Sequence, residues 1–335
     1  MLNAKGDLHV SMRNILHHTL ILSLVCSTLW GQRDELQGII PYTPQEEKSS
    51  VYGALSCRGS TNVGQFLKVW LSDFQKIYPH IQTHSDFTGS SRGLKALMHE
   101  EANIGATSRP IRNSEIQIFK EMRGYAPTEI KVSLDALAIY VNRLNKIESI
   151  SLEELDAIFS RTRNRGYPHA ITNWSMLGDS NGTINMYLFN KQSGTRYYFQ
   201  HQVLWRGVYT RDNIVSDQYT TTQEIVDQVS QDKNGIGFGS AGINNFKVKP
   251  LAIAKRAHYP TYTPTAPSIR SGNYPLTRYF YLYLDVPPDK PIPTILYEFC
   301  KFVLSQDGQK VVLRNRGFPL SPQQIGTELA KLRRE

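Results

Sequence analysis

Three short turns of hydroxyl-bearing residues are the part of the sequence best suited to binding chemistry. They read Gly59-Ser60-Thr61, Thr88-Gly89-Ser90-Ser91 and Ser193-Gly194-Thr195, and each stands between a predicted strand and a predicted helix. A helix start has unpaired N–H groups and a partial positive charge, serine and threonine add hydroxyl donors, and glycine lets a ligand approach the backbone. If the turns meet in one cleft, they form an oxyanion site that needs few full charges.

The alternative for each turn is an ordinary helix cap, because serine and threonine are among the commonest N-cap residues. The recurrence of the same turn three times favours a shared site, although sequence alone does not show that the turns converge. The candidate anion ligands from the turns are Ser60, Thr61, Ser90, Ser91, Ser193, Gly194 and Thr195.

The elements around the turns predict an α/β protein. Strands are predicted at 51–56, 81–87 and 102–107, with helical spacing of apolar residues at 62–78 and 92–101. This alternation favours a mostly parallel sheet. Further apolar patterns predict strands at 132–141, 184–189 and 276–284 and helices at 196–204, 222–229, 293–304 and from 306 onward, with a loop at 253–273.

The residues before the first strand divide into two segments. Residues 1–31 resemble a signal peptide, with basic Arg13 before an apolar run and small Gly31 at the expected cleavage point; a buried N-terminal helix is the alternative. Residues 32–50 are polar, carry two prolines, and predict a linker. We expect a protein exported from the cytoplasm, and therefore periplasmic or extracytoplasmic.

Composition limits the class of partner. The 335 residues carry a formal charge of +9, but the basic residues are scattered, which does not favour a nucleic-acid binder and agrees with a small anionic ligand. No apolar run reaches the length of a membrane span. After cleavage Cys57 and Cys300 remain, and the sequence leaves open whether they form a disulfide or two buried thiols.

An ordered series of motifs resembles the extracytoplasmic phosphate-binding proteins of ABC importers, within the type II periplasmic-binding-protein fold. The resemblance covers about 53–322. Besides the three turns, its motifs are Gly89 to Lys95, Ile104 to Arg109, Leu137 to Asn142, Ser151 to Phe159, Ile171-Thr172-Asn173-Trp174, Gly235-Ile236-Gly237-Phe238, Tyr274-Pro275-Leu276-Thr277-Arg278 and Gly317-Phe318-Pro319-Leu320, with Trp70 in the first helix. Each motif is common alone, and the ordered series is specific.

The resemblance implies two α/β lobes joined by two crossing hinge strands, with mixed, mostly parallel sheets. Lobe one would comprise 51–134 plus 280–325, and lobe two 135–279. The anion would bind between the lobes and closure would follow. The resemblance also implies delivery of the anion to an ABC permease by a monomer that needs no cofactor.

Three positions depart from the family pattern. Ser108 stands where the family often has an acid that accepts the proton of hydrogen phosphate, Phe189 where it often has an arginine, and Asn62 where it has an aromatic or apolar residue. The other ligand positions that the resemblance implies match the family in residue type, and they are Thr61, Ser90, Ser193, Gly194 and Thr195. We keep Ser108 as a candidate anion ligand. Losing one carboxylate and one guanidinium leaves the charge of the site unchanged, but it predicts weaker rejection of sulfate.

Nearby cations are candidates for the missing charge. Arg92 follows the second turn, Arg109 follows Ser108, and Lys191 precedes the third turn. For each the alternative is a solvated surface cation. Arg92 and Arg109 are the charge partners we select.

Enzyme chemistry is not indicated. Ser193-Gly194-Thr195 lacks the flanking glycines of a nucleophile elbow. His80 and His84 lie on a loop and strand without a carboxylate motif, so we expect neither a metal site nor catalytic residues. The sequence therefore predicts a phosphate-binding protein, with two alternatives: a sulfate-like or broad oxyanion binder, or a sensory or interaction protein that keeps the fold without tight anion binding.

Overall fold

The structure is a computed structural model that describes residues 35–45, 47 and 50–332. The predicted signal peptide at 1–31 lies outside the described residues. No helix in the described ranges combines the length and the apolar composition that a bilayer span requires.

The first part of the chain alternates strands and helices, as predicted. The strands are β1 (Gly53–Gly59), β2 (Ile81–Asp86) and β3 (Ile104–Thr107), and the helices are α1 (Thr61–Ile77), α2 (Ser90–Met98) and α3 (Asn113–Arg123). Apolar residues at helical spacing bury one face of α1. Within it Trp70 is fully buried and donates from its indole nitrogen to the Gly308 carbonyl at 2.8 Å.

The middle of the chain contains most of the remaining strands. The elements are β4 (Thr128–Asn142), β5 (Ser149–Ser151), α4 (Leu152–Phe159), a 3₁₀ turn (Trp174–Leu177), β6 (Asn185–Phe189), α5 (Gly194–Gln202), β7 (Ile214–Tyr219), α6 (Thr222–Gln231), β8 (Gly235–Ser240), β9 (Val248–Pro250), β10 (Ala252–Ala254), β11 (Thr261–Tyr262) and α7 (Ala266–Arg270). The predicted capping box forms at α4, where Ser151 accepts from the Glu154 N–H. The predicted loop at 253–273 instead holds two short strands and a helix.

The chain returns through β12 (Thr277–Leu284) and ends in α8 (Thr294–Leu304), α9 (Gln306–Arg314) and α10 (Pro322–Ala330). The main sheet has the order β2-β1-β3-β12-β4-β8-β6-β7, with β9 also paired to β4, and a smaller sheet has the order β11-β10-β5. Parallel pairs form the two ends of the main sheet, and every pair made by β4 or β12 is antiparallel. The sheet is therefore mixed, and its centre is antiparallel rather than parallel.

Strand β4 connects the two halves of the sheet. Its first half pairs with β12 and its second half with β8 and β9. The apolar run 136–141 is buried throughout, as expected for a strand covered on both faces. The change of partner falls at residues 136 and 137, close to the lobe boundary expected after residue 134.

The segment predicted as a linker is packed against the C-terminal helices over residues 35–45. Leu36 and Ile39 are buried, and the Tyr42 hydroxyl contacts the buried carboxylate of Glu298. The Gln306 N–H also donates to the Ile40 carbonyl at 2.8 Å. A few buried side chains are therefore enough to hold this segment against the helices, although its polar composition predicted a linker.

Cys57 on β1 and Cys300 on α8 are both fully buried free thiols. Burial raises the pKa of each thiol, and for Cys57 the neighbouring Cys300 raises it further. The structure therefore has the thiol alternative rather than the disulfide.

Candidate functional site

The three hydroxyl turns converge in the structure. One pocket of about 10 Å³ is lined by residues from all three. A methyl group on Gly194 would lie 2.3 Å from Ser90 Oγ and 2.6 Å from Ser108 Oγ, so only a hydrogen fits at this point. The lining of the pocket is Ser60, Thr61, Asn62, Thr88, Gly89, Asn190, Ser193, Gly194, Thr195 and Thr220.

The first turn opens α1 without a side-chain cap. Ser60 is buried, yet its hydroxyl caps none of the backbone N–H groups of the helix. Thr61 donates its hydroxyl proton to the Phe87 carbonyl at 3.1 Å. The N–H groups at the start of α1 are therefore available to a ligand, whereas the proton of Thr61 is already used.

The second turn opens α2, again without a side-chain cap, because Gly89 occupies the N-cap position. Gly89 has φ 139°, a conformation that favours glycine, and its N–H donates to the Gly59 carbonyl of the first turn at 2.8 Å. The hydroxyls of Ser90 and Ser108 face each other at 3.4 Å, and both residues are fully buried. Ser108 therefore contacts Ser90, but neither serine is among the residues that line the pocket.

The third turn differs from the first two because α5 caps itself. Ser193 Oγ accepts from the N–H groups of Thr195 and Arg196 at 3.2 and 3.4 Å. Its hydroxyl proton remains available to a ligand. The Ser193 side chain therefore occupies the N–H groups of Thr195 and Arg196 at the start of this helix.

Two residues that the ligand prediction missed lie directly behind the third turn. Arg278 on β12 donates from Nη2 to Thr195 Oγ1 at 3.0 Å and from Nε to Asp135 Oδ2 at 2.7 Å. Both charged residues are nearly inaccessible to solvent. Burial raises the pKa of Asp135, and the Arg278 charge opposes that rise. The Nη1 group of Arg278 is buried without a hydrogen-bond partner among the described residues.

Asn62 completes this network. Its Nδ2 donates to Thr195 Oγ1 at 3.0 Å and to Ser240 Oγ at 3.4 Å, and Ser240 donates to Asp135 Oδ2 at 3.1 Å. The position that is aromatic or apolar in the family is therefore a polar link between α1 and α5.

The predicted charge partners do not behave as proposed. Arg92 is exposed and donates to Thr88 Oγ1 at 3.3 Å, and Lys191 is exposed as well. Arg109 is fully buried, but it forms a two-bond pair with Glu115 at 2.6 and 2.7 Å and donates to Ser91 Oγ at 3.2 Å. Ser91 therefore faces Arg109, and none of these cations lines the pocket.

Phe189, which stands where the family often has an arginine, has a structural role in this protein. The Phe189 carbonyl accepts from Nη1 of Arg196 at 2.6 Å, and the same nitrogen pairs with Asp217 at 3.1 Å. Arg196 is itself buried beside the third turn, and Arg278 is the buried cation that donates to the Thr195 hydroxyl. The motif Tyr274-Pro275-Leu276-Thr277-Arg278 was visible in the sequence, but its alternating pattern indicated a strand and gave no sign that the chain returns to the cleft.

Comparison with known proteins places these features in a family. A family model described as a PBP superfamily domain matches residues 44–307. The phosphate-binding protein PstS of Pseudomonas aeruginosa is 33% identical over 295 residues, covering 87% of this chain and 90% of that protein. Protein SphX of Synechococcus elongatus is 28% identical over 72% of this chain and 71% of that protein.

Solved structures share the fold. An ABC-type phosphate transport receptor from Vibrio cholerae aligns with a TM-score of 0.64 at 23% identity, over 79% of this chain and all of that one. PstS from Borrelia burgdorferi aligns with a TM-score of 0.55 at 21% identity, over 80% of this chain and 99% of that one. The predicted type II periplasmic-binding-protein fold is confirmed, and the chain belongs to the PBP superfamily domain family.

Proposed function

We propose that this protein captures inorganic phosphate between its lobes and delivers it to an ABC permease. The observation that carries the proposal is the convergence of three helix N-termini on one pocket lined by hydroxyls and glycines. Helix N-termini and hydroxyl donors bind oxyanions, and the relative from Pseudomonas aeruginosa is a phosphate-binding protein. No reaction is needed, because the work consists of binding and release.

We further propose the arrangement in which this capture takes place. Lobe one comprises 51–134 with 280–325 and lobe two 135–279, with β4 and the chain entering β12 as the hinge. The ligands are Ser60, Thr61, Ser90, Ser108, Ser193, Gly194 and Thr195, with Ser91 and Arg109 supporting the second turn. The protein is a monomer that binds no nucleic acid and is exported after cleavage near residue 31.

Closure of the lobes brings these ligands together. The contacts of Asn62 with Thr195 and of Gly194 with Ser90 each join a residue of lobe one to a residue of lobe two. They form only when the lobes meet. The affinity for the anion therefore includes the free energy of closure, and a ligand that fits between the turns favours the closed state.

Calorimetric titration tests the proposal. The chain from residue 33 is stripped of bound anion by partial unfolding, refolded, and titrated with phosphate and with sulfate. We expect saturable binding of phosphate at one site per chain. Absence of heat with both anions would contradict phosphate capture and favour the interaction protein; comparable binding of both would favour the broad oxyanion binder.

A further inference from the structure

We propose that Thr61 accepts the proton of hydrogen phosphate and that Thr195 is fixed as a donor, so that the pocket prefers a protonated oxyanion to sulfate. This inference rests on the proposed function and identifies the group that distinguishes the two anions. It assigns to Thr61 the role that the missing carboxylate at position 108 would have served.

The direction of the Thr61 hydrogen bond follows from its partner. A backbone carbonyl can only accept, so the Thr61 hydroxyl must donate to the Phe87 carbonyl. The Phe87 ring is held against α1, where a methyl group on Gly64 would lie 2.3 Å from it. Because the Thr61 hydroxyl donates its proton to the fixed Phe87 carbonyl, only the lone pairs of Thr61 Oγ1 remain for a ligand in the pocket.

The direction of the Thr195 hydrogen bonds follows from Asp135. A carboxylate paired with Arg278 accepts, so Ser240 donates to it and must in turn accept from Asn62. The Asn62 group near Thr195 is therefore its NH₂.

Thr195 Oγ1 consequently accepts twice, once from Asn62 and once from the Arg278 guanidinium, both at 3.0 Å. Its two lone pairs are occupied, and its proton is the only part of the hydroxyl that remains for a ligand. Thr61 and Thr195 both line the pocket. Thr61 offers a ligand a hydrogen-bond acceptor, and Thr195 offers it a donor.

An acceptor at Thr61 and a donor at Thr195 together discriminate between protonated and fully ionised anions. Phosphate near neutral pH carries at least one P–OH group, which can donate to Thr61, whereas sulfate has no proton and would place a negative oxygen against its lone pairs. Thr61 could rotate to donate to sulfate, but the Phe87 carbonyl would then lose its hydrogen bond, at a cost of about 1–3 kcal/mol. We therefore expect a preference of about fivefold to 150-fold for phosphate from this residue.

The experiment compares Thr61→Val with Thr61→Ser by titration with phosphate and sulfate. Valine keeps the shape and removes the acceptor, so we expect phosphate affinity to fall about tenfold, sulfate affinity to hold or rise, and the phosphate-to-sulfate ratio to collapse. Serine keeps the hydroxyl and should keep the ratio. An equal loss for both anions in Thr61→Val would show that Thr61 is a donor and would overturn the proposal.

Two further measurements keep the test decisive. Thr195→Val should lower the affinity for phosphate and for sulfate by a similar factor, because a hydroxyl fixed as a donor can bind either anion. A loss of affinity confined to phosphate would contradict the assignment of Thr195 as a donor. In the unaltered protein arsenate, which is protonated, should bind like phosphate, and selenate like sulfate. If the unaltered protein binds phosphate and selenate equally well, only this inference fails; if it binds no oxyanion, the proposed function fails first.

Discussion

Arg278 and Thr195 are 83 positions apart in the chain, yet the guanidinium donates to the threonine hydroxyl at 3.0 Å inside the closed cleft. The contact joins the returning strand β12 to the first turn of α5. The anion pocket itself has no charged side chain among its described lining residues. The positive charge that supports an anion there acts through Thr195, and it is balanced by Asp135.

The Arg278–Asp135 pair should matter for both stability and binding. Arg278→Met leaves a buried carboxylate without its partner, which typically costs about 3–5 kcal/mol of unfolding free energy. We expect phosphate affinity to fall at least about tenfold as well, since Thr195 loses an orienting donor. Urea unfolding and calorimetry measure the two effects.

The double variant Arg278→Met, Asp135→Asn separates these effects. Removing both charges should restore most of the stability, because no unpaired charge remains, but it should not restore phosphate affinity. Full affinity in the double variant would mean that the pair has only a structural role.

Gly194 should be intolerant of any side chain. In Gly194→Ala the new methyl group would overlap Ser90 Oγ and Ser108 Oγ when the lobes close. We expect loss of measurable phosphate binding with a melting temperature, measured without phosphate, close to that of the unaltered protein. Gly326→Ala is the matched control, because nothing lies within 4 Å of the added methyl group and glycine in a helix is unfavourable. Tight binding by Gly194→Ala would show that the turns stay apart in the bound state.

Tyr197 should hold the lobes together from outside the pocket. Its ring centroid lies 4.0 Å from Arg112 Cζ and 4.9 Å from Arg109 Cζ, which belong to the opposite lobe in the proposed division. Each cation–π contact contributes about 0.5–1 kcal/mol at a partly exposed site. Because two such contacts are lost, Tyr197→Leu should weaken phosphate binding about fivefold to thirtyfold through a faster dissociation rate. Tyr297→Leu removes a similar contact with Lys301 far from the cleft and should leave the affinity unchanged.

Glu115 should contribute to acid sensitivity. Burial opposes its ionisation, but the hydrogen bonds and charge of Arg109 hold the pKa of this carboxyl below its usual 4.5. A lowered folded-state pKa stabilises the protein above the unfolded pKa, and the contribution is lost as the pH falls through the folded value. Glu115→Gln should lower stability at pH 7 and flatten the decline below pH 4.5. An unchanged acid profile would contradict this assignment.

The sequence predicted the parts of the site that depend on local pattern. Each hydroxyl turn follows a strand and opens a helix, so its residue types carry the signal within a few positions. The alternation of apolar patterns likewise predicted strands β1 to β3 and the helices α1 and α2 between them. Ser108 was placed by its position in a motif, and the structure brings it within 3.4 Å of Ser90 Oγ.

The parts that depend on distant contacts were not predictable in this way. Arg278 and Asp135 lie in apolar strand patterns that give no sign of their pairing, and Arg109 and Arg92 stood nearer to the turns in sequence. The packing of residues 35–45 was missed because composition there is polar, while burial depends on Leu36, Ile39 and Tyr42. Hydrogen-bond direction, which distinguishes Thr61 from Thr195, follows from partners that only the fold brings together.

An amide NMR titration of the anion-free, ¹⁵N-labelled protein with phosphate shows directly whether the three helix N-termini bind the anion. Helix N–H groups that donate to an anion shift strongly downfield in the proton dimension. We expect the largest downfield shifts at the unpaired first amides of all three helices, at residues 61–63, 90–91 and 194, because the amides of Thr195 and Arg196 already donate to Ser193 Oγ. Small shifts at any of the three turns, or the largest shifts at a different surface, would contradict a site built from three helix N-termini.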